Sequence, residues 1–283
     1  MNKFYLQSSK TVGGLFKFSL ICMAVFSGAW SSQAAIMWVT KDTTLTANYN
    51  GQIRILLPNV TLNLNGKSVN AGGAAWAIYD SGQNGVLILS NGNGSVSNAT
   101  NAIRIVDCKN VQVYKVNTIG NQKGIKMSNG TNCLISYGTH RGINWHAISI
   151  EGGTNNKAQL CSGMGSLAAG FSQELGSYHT FYNCSAYLNN IGFRMLSPWF
   201  TVEGCRAESH TGAGFVVFWA SNGILKNSSA YTSVIGFDNC DETGGTGVQF
   251  LDNPTGLTAI NNSNLNYHNI PCYDIACQTP PIP

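Results

Sequence analysis

The chain is predicted to be all-β, a single parallel β-solenoid of about nine coils with about 22 residues per coil. Three observations carry this. Glycine-led apolar pairs recur along the sequence: Gly124-Ile125, Gly170-Phe171, Gly192-Phe193, Gly214-Phe215 and Gly236-Phe237, with His146-Ala147 as a variant. The step from Gly170 to Gly192, Gly214 and Gly236 is 22 residues each time, and Ala102-Ile103 lies 22 before Gly124. A fixed period of this length marks one structural unit stacked on copies of itself. Finally, no repeat holds a run of strong helix formers, whereas β-branched and aromatic residues alternate with polar ones between Gly, Asn and Ser.

Each element follows from that unit. The segments Phe181–Phe193, Phe200–Phe215 and Leu225–Phe237 share an order: an apolar residue, Asn or Gly followed by Cys or Ser, a polar residue, Ala, a polar loop, and Gly before an apolar residue. About 22 residues is too short for a βαβ unit but fits two or three strands and their bends, with neighbouring coils about 4.8 Å apart. Asn183, Asn227 and Asn262 then fall at one bend, Gly204 being the exception. Asn tolerates the left-handed backbone such corners need, and its amides can stack in a ladder. Phe171, Phe193, Phe215 and Phe237 are expected to form an inward stack. Cys161, Cys184 and Cys205 recur at 23 and 21 residues, and Ser228 and Ser263 continue their place, so these thiols read as a small inward ladder. Cys272 and Cys277 lie outside the period and are the candidate disulfide.

This pattern, with the opening stretch Asn59-Val60-Thr61-Leu62-Asn63-Leu64-Asn65-Gly66-Lys67, resembles the right-handed parallel β-helix proteins of the pectate-lyase-like superfamily. The resemblance spans roughly residues 55 to 270. It implies a secreted carbohydrate-active protein that binds, and by lyase or hydrolase chemistry cleaves, a polysaccharide along one face. The Asn-Thr-Asp and Gly-His-Gly stretches of polygalacturonases and the Asp-Pro-His motif of alginate epimerases are absent from this sequence. A pectate-lyase calcium cluster is not evident either. These absences keep open a non-catalytic glycan-binding or surface-scaffold β-helix. A third option, periplasmic metal handling, has only scattered His and Cys behind it.

Residues 1–34 read as a secretory signal. Lys3, Lys10 and Lys17 precede the apolar stretch Phe18–Trp30, and Ser32-Gln33-Ala34 offers small residues for cleavage. Residues 35–272 form the predicted β-helix domain and 273–283 a proline-rich tail. The protein is expected to be secreted or periplasmic and monomeric, without a membrane span. Removing three Lys from 16 basic residues leaves 13 against 12 acidic, a net of +1. No basic patch suited to nucleic acid remains. Only 10% of residues are charged, so Asn, Ser, Thr, Gln and Gly must cover the surface. Such a neutral amide-and-hydroxyl surface suits a glycan, and equally a solenoid that needs only polar cover.

Side chains alternate along a strand, so two outward ladders can be read: Arg104, Lys126, Ser149, Ser172, Arg194, Val216, Asp238, and Val106, Ser128, Glu151, Glu174, Leu196, Phe218. Glu151 and Glu174 become adjacent rungs, bracketed by Lys126 and Arg194, with His146 beginning the strand that ends near Glu151. Two carboxylates that close would share a proton, one pKa rising, which is the arrangement used in glycoside cleavage. The alternative is β-elimination from a uronic acid. There Arg194 or Lys126 would neutralise the substrate carboxylate, and His146 or Tyr178 would move the proton. Opposite charges on neighbouring rungs also stabilise a solenoid without any chemistry. Trp145, Tyr178, Trp199 and Trp219 are candidate sugar-binding aromatics. Asp238, Asp241 and Glu242, before Gly244-Gly245, are a candidate calcium loop or an ordinary solvated turn. No other cofactor is expected. Residues Gly163–Ala169 are expected to bulge outward from their coil.

Overall fold

The computed structural model describes residues 35–218, 220, 222–231 and 233 in full, and residues 235–240, 249–251, 257–260 and 266–268 as backbone. It is a parallel β-helix of about eight turns with about 23 residues per turn, close to the nine shorter coils expected. Every pairing between strands is parallel. The winding sense that parallel crossovers adopt is right-handed. Trp219, Asp241, Glu242, Asn262 and Ser263, the Phe237 and Asp238 side chains, the Cys272–Cys277 pair, the tail and the signal segment all lie outside the described residues.

Three faces surround one core. The front face carries the Gly-apolar pairs on strands such as Ser95–Val106, Lys123–Thr131, His146–Thr154, Ala169–Ser177, Ile191–Met195 and Ala213–Val217. The second face is an 11-stranded sheet of short strands, stepping through Leu62, Ile88, Val113, Ile135, Ala158, Phe181, Val202 and Leu225. The third face includes Asn117–Ile119, Thr139–Arg141, Ser162–Met164, Ser185–Tyr187, Arg206–Glu208 and Ser229–Tyr231. Front and third faces belong to one 17-stranded sheet because the long strands Val69–Ser81 and Ser95–Val106 bend to serve both.

The Gly signal has a steric cause. A Cβ on Gly192 would sit 2.3 Å from the Gly214 carbonyl oxygen of the next coil, and one on Gly124 would sit 2.2 Å from that of Ala147. Ile125 pairs with Ile148 and Ile148 with Phe171, so the variant pair is Ala147-Ile148, one residue beyond the expected His146-Ala147. Phe171, Phe193 and Phe215 form the expected inward stack, with centroids 4.8 and 4.9 Å apart and rings within 8° of parallel. Cys161, Cys184 and Cys205 are buried free thiols on successive coils, as read from the sequence.

The expected bend row also forms: Asn183, Gly204 and Asn227 have φ of 48°, 62° and 50°. The corner after the front face carries a second left-handed row, Asn110, Asn132, Asn155, Tyr178, Trp199 and Asn222. There Asn155 Nδ2 donates to Asn132 Oδ1 at 2.8 Å. The expected outward bulge at Gly163–Ala169 does not occur as drawn. Ser162–Met164 is a regular strand paired with Ser185–Tyr187, and only the corner beyond it projects, with Leu167 73% exposed. The irregularities lie elsewhere. Residues between Asn70 and Ala74 are inserted before the front-face part of their strand, and a register shift follows Ile150.

Candidate active face

The first outward ladder forms in the predicted order, Arg104 to Lys126, Ser149, Ser172, Arg194, Val216 and Asp238. Ser149 and Ser172 are nonetheless fully buried, because carboxylates fold over them. The second ladder breaks. Ser128 pairs with Glu151, but Glu151 pairs with Leu175, so Glu174 is the extra residue of a β-bulge. The bulge re-aims its side chain toward the start of the preceding strand.

The two carboxylates therefore sit in separate nests of donors. Glu151 Oε1 accepts from Lys123 Nζ at 2.8 Å and from Ser149 Oγ at 2.9 Å, and Oε2 lies 2.5 Å from Lys126 Nζ. Glu174 Oε1 accepts from Ser172 Oγ at 3.3 Å and Arg194 Nη1 at 3.5 Å, and lies 3.4 Å from His146 Nε2. Partial burial would raise the Glu151 carboxyl, but the hydrogen bonds from Lys123, Lys126 and Ser149 outweigh it and hold it at about 2. The His146 contact lowers Glu174 against burial and the charge of Glu151, with Arg194 helping. The expectation of one shared proton and one raised pKa is thus corrected. Both groups are held as anions, because each has its own cation within reach.

His146 begins its strand as expected but is wholly buried. Its Nε2 reaches Glu174 only as a long ion-pair contact, and neither ring nitrogen has a hydrogen bond. The exposed Trp145 packs edge-on against it, centroids 5.7 Å apart.

Beside Trp145 lies a cleft of about 350 Å³ lined by Thr100, Asn101, Gln122, Lys123, Lys126, Asn144 and Trp145. It shares Thr100, Gln122 and Asn144 with an adjoining hollow of about 400 Å³, which continues past Asn70, Asn98, Gly72 and Gly73. Together they make an amide-lined groove across four successive coils at the entry edge of the front face. The buried Asn121 fixes its floor by accepting from Ala99 N and donating to the Val96 and Ile119 carbonyls, each at 3.0 Å.

The predicted residues thus separate into three groups. Lys126 and Trp145 meet at the cleft, and Glu151 reaches it through Lys126. Glu174, Arg194 and His146 form a second cluster on the later coils. Tyr178 and Trp199 lie at the exit edge, a strand's length from Trp145, and stack on each other at 5.6 Å and 25°. Each occupies a left-handed corner position, φ 59° and 56°, in the row otherwise held by Asn. Stacked between successive coils, the two rings turn a face to one another, so they continue the corner ladder rather than offering one broad platform. Sequence reasoning missed Lys123, Asn101 and Gln122. The alternation that places Lys126 outward breaks at Gly124, where the chain turns the corner, and Gly124-Ile125 are both buried. The positive charge two residues before the Gly pair's apolar member was the available signal. Among the described residues no cluster of three or more His, Cys, Asp and Glu suits a metal ion.

No protein-family model matches the chain, and no curated protein matches it. Among solved structures it is similar to the catalytic domain of a GH87 alpha-1,3-glucanase in complex with tetrasaccharides, at 12% identity and TM-score 0.49, over 86% of this chain and 61% of the other. A rhamnogalacturonan lyase is similar at 11% identity and TM-score 0.45, over 82% of each chain. The catalytic unit of a thermostable GH87 alpha-1,3-glucanase from Streptomyces thermodiastaticus strain HF3-3 is similar at 12% identity and TM-score 0.39, over 88% of this chain and 64% of that one. The chain spans about 60% of the length of the glucanase domains it matches. The likeness is one of coil architecture.

Proposed function

We propose that this chain is a carbohydrate-active β-helix that binds an acidic polysaccharide along its front face, acting outside the cytoplasm after export on residues 1–34. The observation that carries the reading is the groove at Trp145. A half-exposed indole stands beside two ammonium groups, Lys123 and Lys126, that share a single carboxylate, Glu151. That edge keeps a net positive charge, an aromatic face for a sugar ring, and amides from Asn101, Gln122 and Asn144 for hydroxyls. An uncharged, amide-rich wall discriminates hydroxyl patterns without the desolvation cost of burying further ions.

A second reading, cleavage by β-elimination, is favoured by the later cluster. His146 is buried with both ring nitrogens lacking hydrogen bonds, against the ionised Glu174 and Arg194. A buried polar group without a partner calls for an explanation, and a catalytic role is one of them. Hydrolysis by Glu151 and Glu174 as acid and base is disfavoured, because neither carboxyl keeps a proton near neutral pH.

One experiment addresses both. The purified chain is titrated with a panel of neutral and acidic polysaccharides, and the mixtures are followed for ultraviolet absorbance of unsaturated sugars and for reducing ends. Binding to acidic members alone, weakened about tenfold or more by Trp145→Ala, supports the first reading. Ultraviolet-absorbing product that disappears in Glu174→Gln and Arg194→Ala supports elimination. Absence of binding across the panel sinks both.

A further inference from the structure

The cations of the two sites described so far are already engaged: Lys123 and Lys126 by Glu151, Arg194 by Glu174. Two front-face cations are not. Arg54 and Arg104 have no carboxylate within ion-pair distance among the described residues, and Arg104 Nε lacks any hydrogen-bond partner. They stand in one outward row whose register runs Trp38, Arg54, Tyr79, Arg104 and then Lys126. The row alternates ring and guanidinium. Arg54 Cζ lies 5.7 Å from the Trp38 ring centre and 5.5 Å from that of Tyr79, and Arg104 Cζ lies 5.8 Å from the other side of the same tyrosine. Trp76 stacks on Tyr79 at 5.2 Å.

Rings on both sides fix the Arg54 guanidinium, and the one ring of Tyr79 that of Arg104, by cation–π attraction that leaves their N–H forks unspent. Such an arginine is prepared to grip a carboxylate or sulfate with two parallel hydrogen bonds and little entropy left to lose. One coil separates the ring from each arginine, so the two forks repeat every second coil, about 10 Å apart along the axis. That distance is close to the advance of two pyranose units in an extended polysaccharide. Beyond Arg104 the row runs to Lys126 at the Trp145 cleft.

We infer that Arg54 and Arg104 are an anion-reading row for a linear polysaccharide that lies parallel to the helix axis and carries one acidic group on every second sugar. The inference rests on the acidic-polysaccharide reading above and sharpens its substrate class. The intervening Tyr79 faces the uncharged sugar of each pair, so a polymer with a carboxylate on every unit would set one anion against the ring and gain nothing from it.

The test compares three probes on the full chain: hyaluronan, with one carboxylate per disaccharide; polygalacturonate, with one per sugar; and dextran, with none. Hyaluronan should bind most tightly and dextran not at all. Arg54→Gln and Arg104→Gln should each weaken hyaluronan about tenfold and lower the salt dependence of binding. Lys157→Gln, on the second face, should change neither. Arg54→Lys keeps the charge between the rings, so it should keep the thermal midpoint while losing several-fold in affinity with the planar fork. Tighter binding to polygalacturonate than to hyaluronan, or glutamine variants that bind like the parent, overturns this inference and leaves the broader proposal standing. Failure of every acidic probe overturns both. Equal competition by single-stranded DNA would make the row a general polyanion surface and overturn the assignment to alternating polysaccharides.

Discussion

Asp80 occupies the inward ladder between Ile55 and Ile105, with neither carboxyl oxygen exposed or hydrogen-bonded within normal geometry. Burial pushes it up to about 7, softened by the nearby Cys108 thiol and the Gln83 backbone. A carboxyl raised in the fold holds its proton where the unfolded chain has lost it, so stability falls as pH rises from about 4 to about 7. Chemical denaturation should find the protein about 2–4 kcal/mol less stable at pH 8 than at pH 4.5 through this group. Asp80→Val, matching its apolar neighbours, should remove that slope. Glu151 acts in the opposite sense. Held at about 2 against an ordinary 4.5, it stabilises the fold above that ordinary value, and its contribution is lost as pH falls toward 2. Glu151→Gln should cost about 1–3 kcal/mol at neutral pH and flatten the acid limb, because two ammonium groups lose their shared partner. Neither pKa direction was legible in the sequence. Asp80 reads there as one more polar residue of a strand, and Glu151 as half of a carboxylate pair. Only in the folded chain does Lys123 reach Glu151, 28 residues away in sequence.

At the scale of the coil, the period was legible because it is enforced sterically. A carbonyl of the next coil stands where the Gly192 side chain would begin, so the row cannot drift. Gly192→Ala should destabilise by about 2–3 kcal/mol, as an overpacked contact does, and should be read by equilibrium unfolding. The corner ladder is softer. Asn155→Ala removes one 2.8 Å amide bond and the residue best suited to φ 58°, for an expected loss of about 1 kcal/mol. What the period could not reveal was the slip after Ile150, since inserting a residue on one strand leaves the repeat length almost unchanged. That slip separates Glu174 from Glu151 and turns a proposed shared-proton pair into two ion-paired nests. The inserted residues near Gly72 and Gly73 were equally silent. They lie early in the chain, outside the part where the Gly-apolar spacing is regular, yet they form one end of the groove.

At the scale of the molecule, each coil touches only its neighbours, so stability is close to a sum of local interfaces. Phe193, stacked between Phe171 and Phe215 and touching Phe181, joins three coils at once. Phe193→Ala should cost about 3–5 kcal/mol, and limited proteolysis should then cut first in the coils around it rather than at the early ones. The ligand-facing features run along the axis instead of around it. The groove crosses coils at the entry edge, the arginine row ascends the early front face, and the Glu174 cluster lies above both. A polymer lying lengthwise therefore meets the groove and the arginine row side by side on the early coils and the Glu174 cluster only beyond them, which the even spacing of the sequence conceals.

The buried thiols Cys108, Cys133, Cys161, Cys184 and Cys205, two before and three after the second-face strand of their coils, have a practical consequence. All five sulfurs are sealed inside, and burial raises the pKa of Cys108, Cys133 and Cys184, while for Cys161 the neighbouring Cys184 raises it first and burial adds to this. At these five positions an alkylating reagent finds almost no thiolate to attack while the winding is closed. Each one sits on a different turn, so the order in which they become modified under mild denaturant charts, turn by turn, where the spiral first comes undone.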